Sequence, residues 1–270
     1  MKNNMVIFIG GMFKSGTSLA RKFIGNHRDI FSGLESNWFE LDQYFNNKNK
    51  DIGFKIKVWS AFFKIEEKLI KTIIYSSSSS EEVIDKMMNY LVEMNNLKYW
   101  VDKSPPNICY SNRIFNYWNN AKIIHIIRDP LDVFMSCKEA KKWDNPILFV
   151  DTWAKIFCNL KKLRENKNFL EIRYENMILN QNKTLEKIYS FCELEWEAEF
   201  SYHNKDSSEY LLVKEVTGKE STTLKRLSQP ITKERIGIGK KNLLNTEINE
   251  IENLLKLNNL YNEYKNALWK

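Results

Sequence analysis

The 270-residue chain carries four cysteines and no C-x-x-C pair. Cys109, Cys137, Cys158 and Cys192 lie far apart, which excludes a zinc knuckle or a dithiol redox motif. They read as reduced packing residues of a cytoplasmic protein. No apolar run reaches the ~18 residues of a membrane span, so no membrane is expected. Gly10 already opens a loop, which leaves no room for a signal peptide ahead of it. Basic residues never gather into an arm: Lys161-Lys162 and Lys240-Lys241 are isolated pairs, so no nucleic-acid partner is expected. Histidine is scarce. His27 ends a helix and His125 sits inside a strand, where both read as structural; His203, in a loop, is a spare candidate for a base. No internal repeat is visible.

What is present fits a soluble globular protein: 43% hydrophobic and 28% charged residues, in a chain long enough to bury a large core. Lys+Arg 41 against Asp+Glu 34 gives a net charge of +7, which suits an anionic substrate and, equally, a solvated lysine-rich surface. Short apolar runs at 5–9, 30–34, 98–102, 122–127 and 168–173 read as buried strands. Helical spacing follows from Thr17, Glu81, Leu131, Pro146, Asn182 and about Thr246. This alternation predicts an α/β fold with a mostly parallel central sheet flanked by helices, in a single domain over residues 1–270. Residues 37–75 are rich in aromatics. Trp38, Phe39, Trp59, Phe62 and Phe63 read either as the wall of an acceptor pocket or as ordinary core. The run Ser76–Ser80 reads as a mobile joint.

Directly after the first strand stands Gly10-Gly11-Met12-Phe13-Lys14-Ser15-Gly16-Thr17-Ser18. Gly11 and Gly16 keep the spacing of a nucleotide triphosphatase loop, G-x-x-x-x-G-K-[ST], and Ser18 takes the position of its metal-binding hydroxyl. The lysine position, however, is Thr17, and the loop's cation is Lys14. Strand, loop and helix in this order make a phosphate site at a helix N-terminus, built from Ser15, Gly16, Thr17 and Ser18. Three more strand ends carry reactive side chains. Glu35 follows the second strand, Lys103 the third and Arg128 the fourth, with Ser136 on the next helix. Ligands of a parallel open sheet bind outside the carboxyl ends of its strands, so these groups face one crevice.

The loop resembles the 5′-phosphosulfate loop of the sulfotransferases that use 3′-phosphoadenosine-5′-phosphosulfate (PAPS). Ile126-Ile127-Arg128-Asp129-Pro130-Leu131-Asp132-Val133-Phe134-Met135-Ser136 resembles their 3′-phosphate segment. Gly33-Leu34-Glu35-Ser36 resembles the stretch that carries the glutamate base of the protein-tyrosine and carbohydrate branch, and Asp102-Lys103-Ser104-Pro105 its substrate-side lysine. Ile172-Arg173-Tyr174-Glu175-Asn176-Met177 resembles the stretch whose tyrosine lies near the nucleotide. Thr223, counted back from Pro230, falls where the family carries a serine toward the sulfuryl group. Gly237-Ile238-Gly239-Lys240-Lys241 resembles the loop that closes on the nucleotide, with Gly239 where the family has tryptophan and Lys240 next to it.

The resemblance implies sulfuryl transfer from PAPS to a hydroxyl of a saccharide, a peptide tyrosine or a small molecule, leaving 3′-phosphoadenosine-5′-phosphate (PAP). It implies no metal: a loop lysine stabilises the bridging oxygen in its place. Catalysis then falls to Lys14, Glu35, Lys103 and Thr223. Nucleotide binding falls to Lys14, Ser15, Gly16, Thr17, Ser18, Arg128, Ser136, Tyr174 and Lys240. As base, Glu35 needs a raised pKa, or it works through a transient carboxylate. The competing readings are a P-loop small-molecule kinase and a non-catalytic nucleotide-binding protein. Thr17 in the lysine position and Arg128 at the fourth strand end argue against the kinase.

Overall fold

Val6–Gly11 forms β1, the middle strand of a five-stranded sheet ordered β2-β3-β1-β4-β5. The others are β2 (Ile30–Ser32), β3 (Tyr99–Lys103), β4 (Ala121–Ile127) and β5 (Phe169–Arg173). Every pairing is parallel. The structure is a computed structural model and describes residues 5–157, 160–201 and 206–260; Cys158 and His203 lie outside these. β1 is buried on both faces, which is why its run is continuously apolar. Ile7 and Ile9 join one core with Phe23, Ile124 and Tyr189, while Val6 and Phe8 join a larger one with Trp100 and Ile123.

Along the chain, α1 (Thr17–Ile24) follows the glycine loop. The aromatic-rich stretch folds as a 3₁₀ turn at Trp38–Leu41 and three helices, α2 (Asp42–Asn46), α3 (Gly53–Phe63) and α4 (Glu67–Tyr75). Trp38, Phe39, Trp59 and Phe63 are core, whereas Phe62 is half-buried. Then come α5 (Ser80–Met94), α6 (Ser111–Tyr117), α7 (Pro130–Glu139), α8 (Pro146–Phe157) and α9 (Leu160–Leu163). After β5 follow α10 (Tyr174–Leu179), α11 (Gln181–Phe191), α12 (Ser208–Thr217), α13 (Thr222–Leu227), α14 (Ile238–Asn242) and α15 (Asn245–Leu257). Helices α1 and α11 cover the Ile7 face; α5, α8 and α15 cover the Phe8 face. No described helix is long and apolar enough to cross a membrane.

Two expectations change. β2 stops at Ser32, and Gly33 beyond it passes so close to Phe63 that a Cβ there would stand 2.3 Å from the ring. The serine run is tied down rather than free. Ser79 caps α5 by accepting from the Glu82 backbone N–H, and the Glu82 carboxylate accepts from the backbone and hydroxyl of Ser78 at 2.8 and 2.9 Å. Ser80 is fully buried and donates to Asp42 at 2.7 Å.

Ser80 belongs to a charged knot that joins α2, α5 and α6. The Arg113 guanidinium donates to Asp42 at 2.5 and 3.1 Å and to Glu81 at 2.6 and 2.9 Å. Burial alone would raise the Asp42 pKa, but the hydrogen bonds from Arg113 and Ser80 outweigh it and hold the carboxyl below its ordinary value. A carboxyl depressed in the folded state stabilises above its unfolded-state pKa of about 3.9 and stops doing so as the pH falls through the lower folded value. Asp42→Asn is therefore expected to lose about 1–2 kcal/mol in urea unfolding at pH 7, the value of a charged hydrogen bond reduced by solvent screening. The gap between variant and wild type should close only below about pH 3.9.

Candidate active site

The register of the sheet sets the site. Ile9 lies opposite Lys103, Gly11 opposite Ile126, and Ile127 opposite Arg173. The glycine loop, Lys103, Arg128 and Tyr174 therefore leave the sheet along one edge. There they open onto a cleft of about 1020 Å³. Lys14, Gly16, Thr17, Ser18, Glu35, Lys103, Arg128, Ser136, Tyr174 and Thr223 all line it. Ser15 is buried beneath the loop, and Lys240 is exposed outside the cleft.

Glycine is required at the turn into α1. Gly16 has φ 105°, and a Cβ there would stand 2.5 Å from the Tyr174 ring. No acidic residue occupies the first turn of α1, so its N–H groups meet the cleft without a competing carboxylate. Lys14 also has a left-handed backbone, φ 68°. Its ammonium donates to Thr223 Oγ1 at 2.9 Å and Thr222 Oγ1 at 3.1 Å, both on α13. Burial lowers its pKa.

Arg128 anchors the other end. Its guanidinium lies 4.2 Å from the centre of the Tyr174 ring and donates to the carbonyls of Lys14, at 3.0 Å, and Arg235, at 2.5 Å. Ser136 Oγ stands 3.5 Å from Arg128 and 2.9 Å from the Arg235 guanidinium. Burial lowers the Arg128 pKa, with the Tyr174 and Asp132 side chains opposing it; an arginine remains cationic through such a shift. Arg128 Nε and Ser15 Oγ are buried with no hydrogen-bond partner. Buried polar atoms rarely go unpaired, and of these two residues Arg128 lines the cleft.

Glu35 and Lys103 face each other as an ion pair; the lysine is buried, while a third of the glutamate side chain meets solvent. Burial pushes the Glu35 pKa up, but Lys103 and a 3.3 Å hydrogen bond from Asn37 overcome it, so the carboxyl titrates below its ordinary value. The raised pKa expected of a base is not found; the carboxylate is the resting form. A second layer holds the pair. Asp102, next to Lys103, accepts from Ser36, next to Glu35, at 2.5 Å and from Asn107 at 2.8 Å. Trp59 Nε1 donates to the Ser36 carbonyl at 2.9 Å. His27 and His125 work elsewhere: His27 Nδ1 accepts from the Asp29 backbone, and His125 meets Glu171 at 3.0 Å inside the sheet.

Sequence reasoning missed Arg235, Thr222 and Lys142, all of which line the cleft. It assigned Lys240 to the nucleotide, but the chain turns outward at that loop. The backbone N–H groups of Gly237 and Gly239 both donate to Asp132 at 2.8 Å, and Gly239 packs so tightly on Leu131 that a Cβ would stand 2.3 Å from its backbone. This seats α14 on α7 and leaves Lys240 on the outside.

The Sulfotransferase family model matches residues 7–198. An uncharacterized protein of Aquifex aeolicus (strain VF5) is 24% identical over 212 residues, covering 71% of this chain and 26% of that protein. The chain thus spans about a quarter of the length of the curated relative it matches. The sulfotransferase domain from the Synechococcus PCC 7002 olefin synthase superposes with a TM-score of 0.66 at 18% identity, covering 93% of this chain and 94% of that one. Mouse sulfotransferase SULT7A1, solved in complex with PAP, superposes with a TM-score of 0.54 at 13% identity, covering 98% and 90%. These two structures share the fold. With the family match extending over most of the chain, this protein belongs to the sulfotransferase family.

Proposed function

We propose that the chain transfers the sulfuryl group of PAPS to a hydroxyl acceptor, with PAP as the second product. The observation that carries this reading is the pairing of two cationic ends in one cleft: Lys14 at the glycine loop, and Arg128 with Ser136 beside it. The unpartnered Arg128 Nε suits a ligand with a phosphate at that end of the cleft. Arg235, on Ser136, takes the role first given to Lys240. In the transfer, the acceptor oxygen bonds to sulfur as the bond between sulfur and the 5′-phosphate oxygen breaks. That oxygen keeps the electron pair, facing Lys14, and the acceptor proton passes to Glu35. A carboxylate of low pKa serves here because the hydroxyl proton becomes strongly acidic only once its oxygen is bonding to sulfur. Lys103 orients Glu35 and offsets negative charge on the sulfuryl oxygens. Thr223 and Thr222 fix the Lys14 ammonium.

Calorimetric titration separates this reading from a kinase. PAP is expected to bind tightly without Mg²⁺, and ATP weakly with or without it; a preference for Mg-ATP overturns the reading. Arg128→Ala should weaken PAP by about 1.5–3 kcal/mol, the range for a hydrogen bond to a charged group. Lys14→Ala and Glu35→Ala should abolish transfer while the fold, followed by circular dichroism, survives.

The Glu35–Lys103 pair predicts a pH behaviour of its own. With Lys103 present, the Glu35 carboxyl should titrate below the ordinary glutamate value of about 4.3. In Lys103→Met the same carboxyl keeps its burial and loses its cation, so its midpoint should rise above that value. Carboxyl ¹³C NMR of labelled protein reads both midpoints; an unchanged midpoint removes Lys103 as the controlling charge.

A further inference from the structure

The acceptor side of the cleft has a chemistry of its own. On α3, Phe54, Val58 and Phe62 recur every four residues and line the cleft together with the buried Trp59, while Ile56 and Phe63 on the other side of the helix are buried away from it. Phe54 is 65% exposed. A stripe of three apolar side chains facing into a cleft, beside a catalytic carboxylate, is suited to apolar substrate surface. Across from it, α12 buries no residue and presents Val213 and Thr217 to the same space.

Around this stripe Lys55 pairs with Glu40, and Glu220 with Lys214. Besides Lys14, two lysines of the lining, Lys219 and Lys142, have no ion pair among the described residues, and of these Lys142 is held in place. Its ammonium lies 3.2 Å from the centre of the Phe13 ring and 5.4 Å from that of Trp143, and no carboxylate among the described residues forms an ion pair with it. Phe13 and Trp143 themselves meet edge to face at 5.8 Å. The rings hold the cation in place without neutralising it. It lines the cleft near enough to Glu35 to help lower that carboxyl's pKa.

We propose that the acceptor is an amphipathic alcohol, with an apolar skeleton laid along Phe54, Val58 and Phe62, an anionic group held by Lys142, and the hydroxyl delivered to Glu35. This rests on the sulfuryl-transfer reading of the cleft. It makes Lys142 a specificity residue, and it separates this acceptor from a neutral saccharide, which has neither a long apolar skeleton nor a charge for Lys142.

The test measures binding to the PAP-saturated full chain, so it does not depend on turnover. The probes are 10-hydroxydecanoate, 1-decanol and methyl glucoside. PAP affinity is measured first; failure of PAP to bind overturns the sulfuryl-transfer reading, and with it the proposal. Given PAP binding, 10-hydroxydecanoate should bind at least tenfold more tightly than decanol, and decanol more tightly than the glucoside. Lys142→Gln should reduce the preference for the hydroxy acid over decanol to less than threefold, and Phe54→Ala should weaken both amphiphiles together. No binding of the hydroxy acid, or tighter binding of the glucoside, overturns the proposal. So does a Lys142→Gln variant that loses PAP affinity as strongly as hydroxy-acid affinity, since that assigns the ammonium to the donor.

Discussion

Parallel pairing of β1 with both β3 and β4 is the constraint on which the rest of the molecule depends. A parallel sheet sends every strand's carboxyl end to the same edge, and the register decides which residues leave it together. With Ile9 opposite Lys103 and Gly11 opposite Ile126, the loop after β1 sits between the lysine that ends β3 and the arginine that follows β4. The side chains of β1 that meet this register are apolar and buried on both faces, while Asp102 and Lys103 enter only at the carboxyl end of β3. A slip of one residue would exchange the two faces of β1 and break both cores at once.

Concentrating cations at one edge raises an electrostatic problem, and the chain answers it with neutral acceptors. Lys14 is held by two threonine hydroxyls, Arg128 by two backbone carbonyls and the face of Tyr174, and Lys142 by two aromatic rings. Such partners fix the position of a charge and leave most of its field available to an anion. Lys103 is the contrasting case: it is paired directly with Glu35, and that pairing is what keeps the carboxylate ionised in a buried setting. Lys14 and Lys142 have no ion pair among the described residues, whereas Arg128 has Asp132 at 4.0 Å, Arg235 pairs with Glu139 at 2.7 Å and Lys103 pairs with Glu35.

Much of this was readable before the fold was known, because the relevant signals are local. The Gly10–Ser18 loop declares itself through glycine spacing after an apolar strand, and Arg128 through its place between a strand and the Asp129-Pro130 helix start. The Glu35 and Lys103 positions were readable for the same reason, though the direction of the Glu35 pKa was not, since it depends on a partner 68 residues away. The serine run misled because low complexity was equated with mobility; its hydroxyls instead find specific partners at Glu82 and Asp42. Arg235 and Lys142 were missed. Each matters through a tertiary neighbour, Ser136 for one and Phe13 for the other; Arg235 stands just ahead of the Gly237-Ile238-Gly239 loop, where attention fell on Lys240 instead.

The position of the loop lysine links these themes. In a triphosphatase loop the lysine follows the second glycine and leads into the helix. Here that position is Thr17, and Lys14 stands within the loop with a left-handed backbone. Its carbonyl accepts from Arg128, and its ammonium reaches across the cleft to Thr222 and Thr223. One residue therefore ties the first loop of the chain to the strand end that follows β4 and to the late helix α13. The same helix is also held by the Arg226–Glu139 ion pair and by Leu227 in the core, so the Lys14 contact is one of several that seat α13. Placing the cation there gives up the direct reach along a phosphate chain that a helix-start lysine has. In return, under the proposed reaction it sets a charge at the bridging position, where the leaving oxygen of a sulfuryl transfer would gather its electrons.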